Sequence, residues 1–367
     1  MNVIHLQNLG GIGGIAVLTR DISMKSKENN FFYFVFEGGD IAEQIKEYSP
    51  VFVAEGSHKR IFKEAKRFYA YCKSNNADVI IEHTGTAIGL TCALYAKRKL
   101  KNARLILYWH SNASFFDKKG VKGNIEVFLK RLAYKKCDGV AAISNSVKSS
   151  YLKVYGYKKD KISVVYNGIN TSKFFSSRLD YCGKLPLNII YVGRVFKPKG
   201  IHLLIGAVNL LDGETKQKIR VKIVGQDRGD YTERMIKKTA ELGLDGIIEF
   251  TGARLDVPEL LAGADLFVHP AICEEGFGIT LAEAMASYVP CLAFRLGAIP
   301  EVIDENKNGF IVDDISIEGL KEAIINALDI YENSPALYLE MRNCARKKAE
   351  TFSIENTLTT LESLYKE

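Results

Sequence analysis

Short apolar runs alternate along the chain with longer segments in which apolar positions return at helical spacing. In the first half, the runs at 2–6, 31–36, 78–82, 104–110, 138–143 and 162–166 predict strands; in the second half, those at 187–192, 220–224, 247–250, 265–269, 290–294 and 310–312 do so. Most are rich in Val, Ile, Leu and Phe and show no alternation, the pattern of parallel strands buried on both faces. Segments such as 59–73 and 232–242 lie between them and read as helices. A β-α-β order that runs twice through the chain predicts an α/β protein of two doubly wound, Rossmann-like domains. The polar, aperiodic stretch 171–186, with Ser176, Ser177, Gly183 and Pro186, reads as a linker between a domain at 1–170 and another at 187–349. A last helical region opens at Pro335, and its end, about 350–367, is expected to pack back on the first domain. In open α/β sheets, ligands bind beyond the carboxyl ends of the strands. Two such domains are expected to face a central cleft, lined by the residues that follow each strand.

Composition narrows the class. At 367 residues the chain exceeds what one growing core accommodates, and 47% hydrophobic with 25% charged residues is ordinary for a globular protein. No apolar run approaches the roughly 18 residues of a membrane span. The first residues enter a strand directly, without the pattern of a secretory leader, so a cytoplasmic location is expected. Seven cysteines lie scattered with no Cys-x-x-Cys pair, and six histidines show no ligand spacing, which suits neither a disulfide framework nor a zinc site. Charge is unevenly spread: between His58 and Lys136, eighteen Lys and Arg face five acids, whereas the whole chain is only +7. That excess predicts an anionic partner for the first half.

The strongest chemical signal is Glu275-Gly276-Phe277-Gly278-Ile279-Thr280-Leu281-Ala282-Glu283. A helix starting near Gly278 would aim bare backbone N–H groups and its positive dipole end at a ligand, a ready anion site. Glu283, one to two turns in, could accept hydrogen bonds from a vicinal diol such as ribose; Glu275, ahead of the turn, could do the same for sugar hydroxyls. A solvated pair of glutamates beside an ordinary glycine turn is the plain alternative. In Tyr191-Val192-Gly193-Arg194-Val195-Phe196-Lys197-Pro198-Lys199-Gly200 a strand ends, Gly193 turns the backbone, and Arg194 and Lys199 follow where a guanidinium fork and an ammonium could clamp a diphosphate. Standing alone, these two would be read as surface residues of a loop.

Taken together with other motifs in order, these segments are specific. The chain resembles, over nearly its whole length, the large retaining glycosyltransferase family numbered family 4, the glycosyl transferases group 1, whose fold is GT-B. The resemblance is carried by the glycine-rich first loop, Trp109-His110, Val165-Tyr166-Asn167-Gly168-Ile169, Gly193-Arg194 with Lys199-Gly200, and Ile223-Val224-Gly225. Phe250-Thr251-Gly252, Ala264-Asp265-Leu266-Phe267, the two glutamates with seven residues between them, and Pro300-Glu301-Val302-Ile303 complete it. It implies a donor site in which Arg194 and Lys199 hold the diphosphate, Glu283 the ribose and Glu275 the transferred sugar. Gly193, Gly225 and the backbone of Gly276, Phe277, Gly278 and Ile279 would line that site. His110 would sit beside the donor sugar as a hydrogen-bonding group. Retention would follow from attack on the leaving group's own face, with a donor phosphate oxygen taking the acceptor's proton, so catalysis rests on placement and electrostatics. The chain departs from the family pattern at Asn170, where Asp is usual, at Ala271 in place of Ser, and at Ala298 in place of Gly. These leave the diphosphate clamp intact and bear on sugar preference. No Asp-x-Asp occurs, so no metal is expected and the nucleotide-diphosphate sugar, most simply a UDP-hexose, is a co-substrate rather than a cofactor.

The first loop supports a second reading. Gly11-x-Gly13-x-x-Ala16, with Gly14 beside it and Glu37 further on, satisfies the dinucleotide fingerprint and would suit an NAD-dependent oxidoreductase. Two observations weigh against it: the strand is expected to end near Leu6, too far from the glycines for that tight turn, and no hydride chemistry is visible in the second half. In the transferase reading, Gly11, Gly13 and Gly14 let backbone approach the donor or the acceptor. A third reading, a catalytically inactive partner subunit, is opposed by the presence of all four charged residues, since unpaired buried charges are costly to keep. The basic first half would meet a lipid-linked glycan acceptor or an anionic inner membrane face, with Phe115, Phe116, Lys118, Lys119 and Lys122 as contact residues; no nucleic-acid module is visible.

Overall fold

The computed structural model describes the chain except at residues 12, 114–119, 177–182, 227–228 and 367. The chain divides into two compact units, one of Met1–Ile169 with Ile354–Glu367 and one of Asn170–Ser353. Unit 1 is built on seven strands: β1 (Asn2–Leu9), β2 (Asn29–Glu37), β3 (Val51–Val53), β4 (Val79–Glu82), β5 (Arg104–Trp109), β6 (Gly139–Ala142) and β7 (Ile162–Val164). They lie in the order β3-β2-β1-β4-β5-β6-β7, all parallel. Unit 2 has six: β8 (Leu187–Val192), β9 (Ile219–Val224), β10 (Ile248–Gly252), β11 (Leu266–His269), β12 (Cys291–Phe294) and β13 (Gly309–Val312). Their order is β10-β9-β8-β11-β12-β13, again all parallel. Each sheet reverses its winding once, between β1 and β4 and between β8 and β11. With right-handed crossovers, the rule for parallel strands, a sheet wound this way is covered by helices on both faces, and strands so covered read as unbroken apolar runs. The doubly wound α/β architecture expected from the apolar pattern is the one observed.

Buried polar groups fasten these sheets at fixed points. Asp265, fully buried, accepts the Asn188 backbone N–H at 2.9 Å and its side-chain amide at 2.8 Å, tying β11 to β8. Behind it Arg342, also fully buried, approaches Asp265 to 4.0 Å and donates to Ser176 Oγ at 2.6 Å.

Four features differ from the sequence reading. β1 runs to Leu9 rather than ending near Leu6. The polar residues Gln7 and Asn8 look like loop, yet Gln7 is buried with its amide on Thr19 Oγ1 at 2.7 Å, and pairing with β2 continues to Leu9 opposite Glu37. The three-residue edge strand β3 carries too little pattern to be read, with Phe52 exposed. The segment read as a linker is part of unit 2 where it is described: Arg346 Nη1 donates to the carbonyls of Thr171 and Phe174, each at 3.2 Å. The last helical region is two helices, Pro335–Thr351 in unit 2 and Ile354–Lys366 in unit 1. The second is seated on the Asn167-Gly168-Ile169 turn, where Ile354 N–H donates to the Ile169 carbonyl at 3.0 Å and Thr357 Oγ1 to that of Tyr166 at 2.8 Å. A side chain at Gly168 would come within 2.7 Å of Ile354 Cα, so that motif serves the return of the chain.

Candidate functional site

In a doubly wound sheet, the crevice for a ligand opens where the winding reverses. In unit 2 that point lies between β8 and β11, and the loops leaving these two strands carry Gly193–Gly200 and Pro270–Gly278. The residues singled out from sequence are therefore neighbours by topology. Lys199 Nζ donates to Glu275 Oε1, and the same oxygen accepts from His269 Nε2 at 3.0 Å. Lys199 and Glu275 side chains are only 15% and 16% exposed, and His269 is buried, so the three form a half-enclosed charged group. Burial alone would push the Glu275 carboxyl up; the His269 bond and charge and the Lys199 ammonium outweigh it and hold the carboxyl down at about 2. The backbone of Glu275 is fixed too. Its carbonyl accepts from Ala298 N–H at 2.9 Å, and Gly297, at φ +59°, lies so close that a Cβ would sit 2.3 Å from that carbonyl oxygen.

Arg194 is exposed, its guanidinium 4.8 Å from the centre of the Phe196 ring. It lies near enough to the same group to act on Cys273: burial and the Glu275 charge push that thiol up, and Lys199 and Arg194 oppose them. Gly225, at the end of β9, packs backbone to backbone on Gly193, since a Cβ there would stand 1.8 Å from the Gly193 carbonyl oxygen. The helix Ile279–Ala286 starts as expected at Gly278, which takes the left-handed conformation (φ +89°), and no side chain caps it. Its first N–H groups are thus available to an anion. Phe277 is buried with its ring edge-on to Phe352 at 5.0 Å, so only its backbone is offered on this side. Glu283 is the fifth residue of the helix and half-buried.

In unit 1 the winding reverses between β1 and β4, and the glycine loop follows β1. Because β1 reaches Leu9 rather than ending near Leu6, the turn into the helix Gly14–Lys25 is short, and its length is compatible with a dinucleotide turn. A Cβ at Gly11 or Gly13 would meet nothing within 4 Å, so the protein's own packing does not demand glycine there. His110, half-buried itself, follows β5 and ends a file that runs inward: His110 Nε2 to His83 Nδ1 at 2.9 Å, His83 Nε2 to His5 Nδ1 at 3.0 Å, and His5 Nε2 to Asn30 Oδ1 at 3.0 Å. Burial lowers all three imidazoles, His5 to about 4 against the raising effect of Asn30, His110 to about 3, and His83 well below the usual value. His110 Nδ1 is buried without a partner among the described residues.

His269, His83 and His5 were not singled out from sequence. The available signal was a polar residue inside or ending an otherwise apolar buried strand. Part of the basic excess of unit 1 has a structural use. Lys73, Lys97, Arg98, Lys99, Lys135 and Lys136 occupy the last turns of three helices, where cations complement the dipole. Phe115, Phe116, Lys118 and Lys119 lie outside the described residues; Lys122 stands in the first turn of the helix Val121–Lys136. Among the described residues, no helix is long and apolar enough to cross a membrane, and no cluster of His, Cys, Asp and Glu is placed to hold a metal ion.

Comparison with known proteins covers both units. The family model described as Glycosyltransferase Family 4 matches residues 12–173, and that described as Glycosyl transferases group 1 matches residues 184–350. An uncharacterized glycosyltransferase of Methanocaldococcus jannaschii is 29% identical over 64% of this chain and 62% of its own. The putative colanic acid biosynthesis glycosyltransferase WcaL of Escherichia coli is 27% identical over 75% of this chain and 66% of its own. The chain thus spans just under two thirds of the length of these relatives. Among solved structures, Anabaena HepE in complex with UDP superposes with a TM-score of 0.84 at 20% identity, covering 100% of both chains. At that identity the likeness establishes the fold.

Proposed function

Because this chain belongs to the group 1 glycosyl transferases of family 4, we propose that it moves a hexose from a UDP-sugar to a glycan or lipid-linked glycan, with retention, in cell-surface polysaccharide synthesis. The observation that carries the reading is the meeting, at the winding reversal of unit 2, of a cationic loop, a clamped carboxylate and an uncapped helix start. A diphosphate needs several donors on one side; Arg194, the remaining N–H bonds of Lys199 and the first N–H groups of the helix Ile279–Ala286 supply them. As the glycosidic bond breaks, the leaving UDP gains charge, and these fixed cations stabilise it without a metal or resident cofactor. Glu275, ionised and held from two sides, accepts from hydroxyls of the transferred sugar, and Glu283 accepts from the ribose diol.

Support for uridine comes from HepE, solved with UDP and with UDP-glucose, and support for a polysaccharide role from the colanic acid relative. The six described cysteines are all free, which fits a reducing cytoplasm, and the basic first unit fits an anionic inner membrane face or lipid-linked acceptor. The nicotinamide reading has the short turn in its favour and no hydride chemistry in unit 2.

Nucleotide sugars screened by thermal shift should single out UDP and a UDP-hexose, a ligand at a hundred times its Kd adding about 2.7 kcal/mol of stability. Arg194→Ala should lower turnover by orders of magnitude with an unchanged melting curve, and Glu283→Ala should mainly weaken UDP. Near-normal turnover in the Arg194 variant would remove the clamp from the reading.

A further inference from the structure

The direction of every proton in the imidazole file of unit 1 can be deduced. Asn30 Nδ2 donates to the backbone carbonyl of Glu28 at 3.0 Å, and a carbonyl only accepts, so the atom facing His5 is the amide oxygen. That oxygen also only accepts, and His5 Nε2 must therefore carry a proton. A neutral imidazole has a single N–H. His5 Nδ1 is then bare and accepts from His83 Nε2–H, and by the same step His83 Nδ1 accepts from His110 Nε2–H. His110 Nδ1 is left at the end of the file with a lone pair and no partner among the described residues.

We infer that Asn30, His5 and His83 are positioning residues that lock His110 in its Nε2–H form, so that Nδ1 meets the sugar as a hydrogen-bond acceptor and selects one presenting a hydroxyl there over one presenting a carboxylate. This rests on the proposed transfer of a sugar, with His110 as the hydrogen-bonding group beside it that the family resemblance implies. Burial supports it: His5 is 1% exposed, His83 3% and Asn30 5%, and water is kept from offering substitute protons. The rings hold their file by stacking, His5 on His83 and His83 on His110, each with centroids 5.2 Å apart. The desolvation that lowers all three keeps them neutral at pH 7, the condition the deduction needs. The file is not a proton conduit, because it ends on an amide that does not titrate. It is not a metal site, because the lone pairs of His5 and His83 point at the next ring's N–H rather than at a common centre. A run of bonds that all point one way is also mutually reinforcing.

The test is a long-range proton–nitrogen NMR correlation on the full chain labelled with nitrogen-15 histidine, together with turnover of UDP-glucose. In the wild type at pH 7, His5, His83 and His110 should all carry their proton on Nε2. Asn30→Asp should keep that state, its buried carboxyl protonated on the oxygen that faces the Glu28 carbonyl so that the other oxygen still accepts from His5, whereas Asn30→Leu should shift part of His110 to the Nδ1–H form. Turnover should fall about tenfold in Asn30→Leu, the loss of one buried hydrogen bond, and Asn30→Asp should restore most of it. A wild-type His110 protonated on Nδ1 overturns the proposal, and that result needs no variant to fold. So does an Asn30→Leu protein with a shifted tautomer and undiminished turnover. Undiminished turnover in His110→Ala, with the wild-type tautomers as expected, instead overturns the sugar contact on which the proposal rests.

Discussion

Glu275 brings a negative charge into a half-enclosed position between Lys199 and His269, and its environment decides its state. Its pKa in the folded protein, about 2, lies below the ordinary 4.5. A depressed carboxyl contributes stability that is fully present above its unfolded pKa and is lost as pH falls toward the folded one. The contribution, about 3 kcal/mol at neutral pH, should therefore fade between about pH 4.5 and pH 2. Urea unfolding across that range should show the wild type losing more stability than Glu275→Gln; parallel curves would mean that the carboxylate is not held as described. At the same scale, the candidate residues were legible as charged groups next to glycine turns, since Arg194, Lys199 and Glu275 each follow a strand in sequence. Their pairing was not. Nothing in the sequence says that Lys199 spends one of its donors on Glu275, or that His269 shares the same oxygen.

At the scale of elements, the site depends on two strand ends held close together. Gly193 and Gly225 touch through their backbones, and the Arg194 loop departs from that contact. A methyl group at Gly225 would have to push β8 and β9 apart at their carboxyl ends. Gly225→Ala should cost about 1–3 kcal/mol and weaken UDP binding by displacing the loop. Chemical denaturation and a UDP titration of the same variant check both parts; unchanged affinity would show that the loop position is independent of this contact. The apolar runs made these strands legible, and the three-residue edge strand β3 and the polar end of β1 escaped because their stability comes from pairing with β2 rather than from their own composition.

At the scale of the molecule, the chain leaves unit 1 at Ile169 and returns to it at Ile354. The returning helix buries Ile354, Leu358, Leu361 and Tyr365. Deleting 354–367 should destabilise unit 1 and leave unit 2 largely intact. The single tryptophan, Trp109, lies in unit 1 and reports it alone, while circular dichroism reports both units. The deletion should bring the tryptophan transition to a lower temperature than the remaining dichroic one, and coincident transitions would contradict this division.

The sequence by itself determined the architecture, because periodicity and strand composition are local consequences of burial on two faces, and it marked the charged and glycine residues at strand ends. Only the tertiary structure decided which of those strand ends adjoin. Sheet order is set by packing between segments far apart in the chain, and it is this order that brings Lys199 to Glu275 and sets His5, His83 and His110 in one file. The sequence reading expected the end of the chain on the first domain; the tertiary structure decided its seat there, by the fit of Gly168 beneath Ile354 and Thr357.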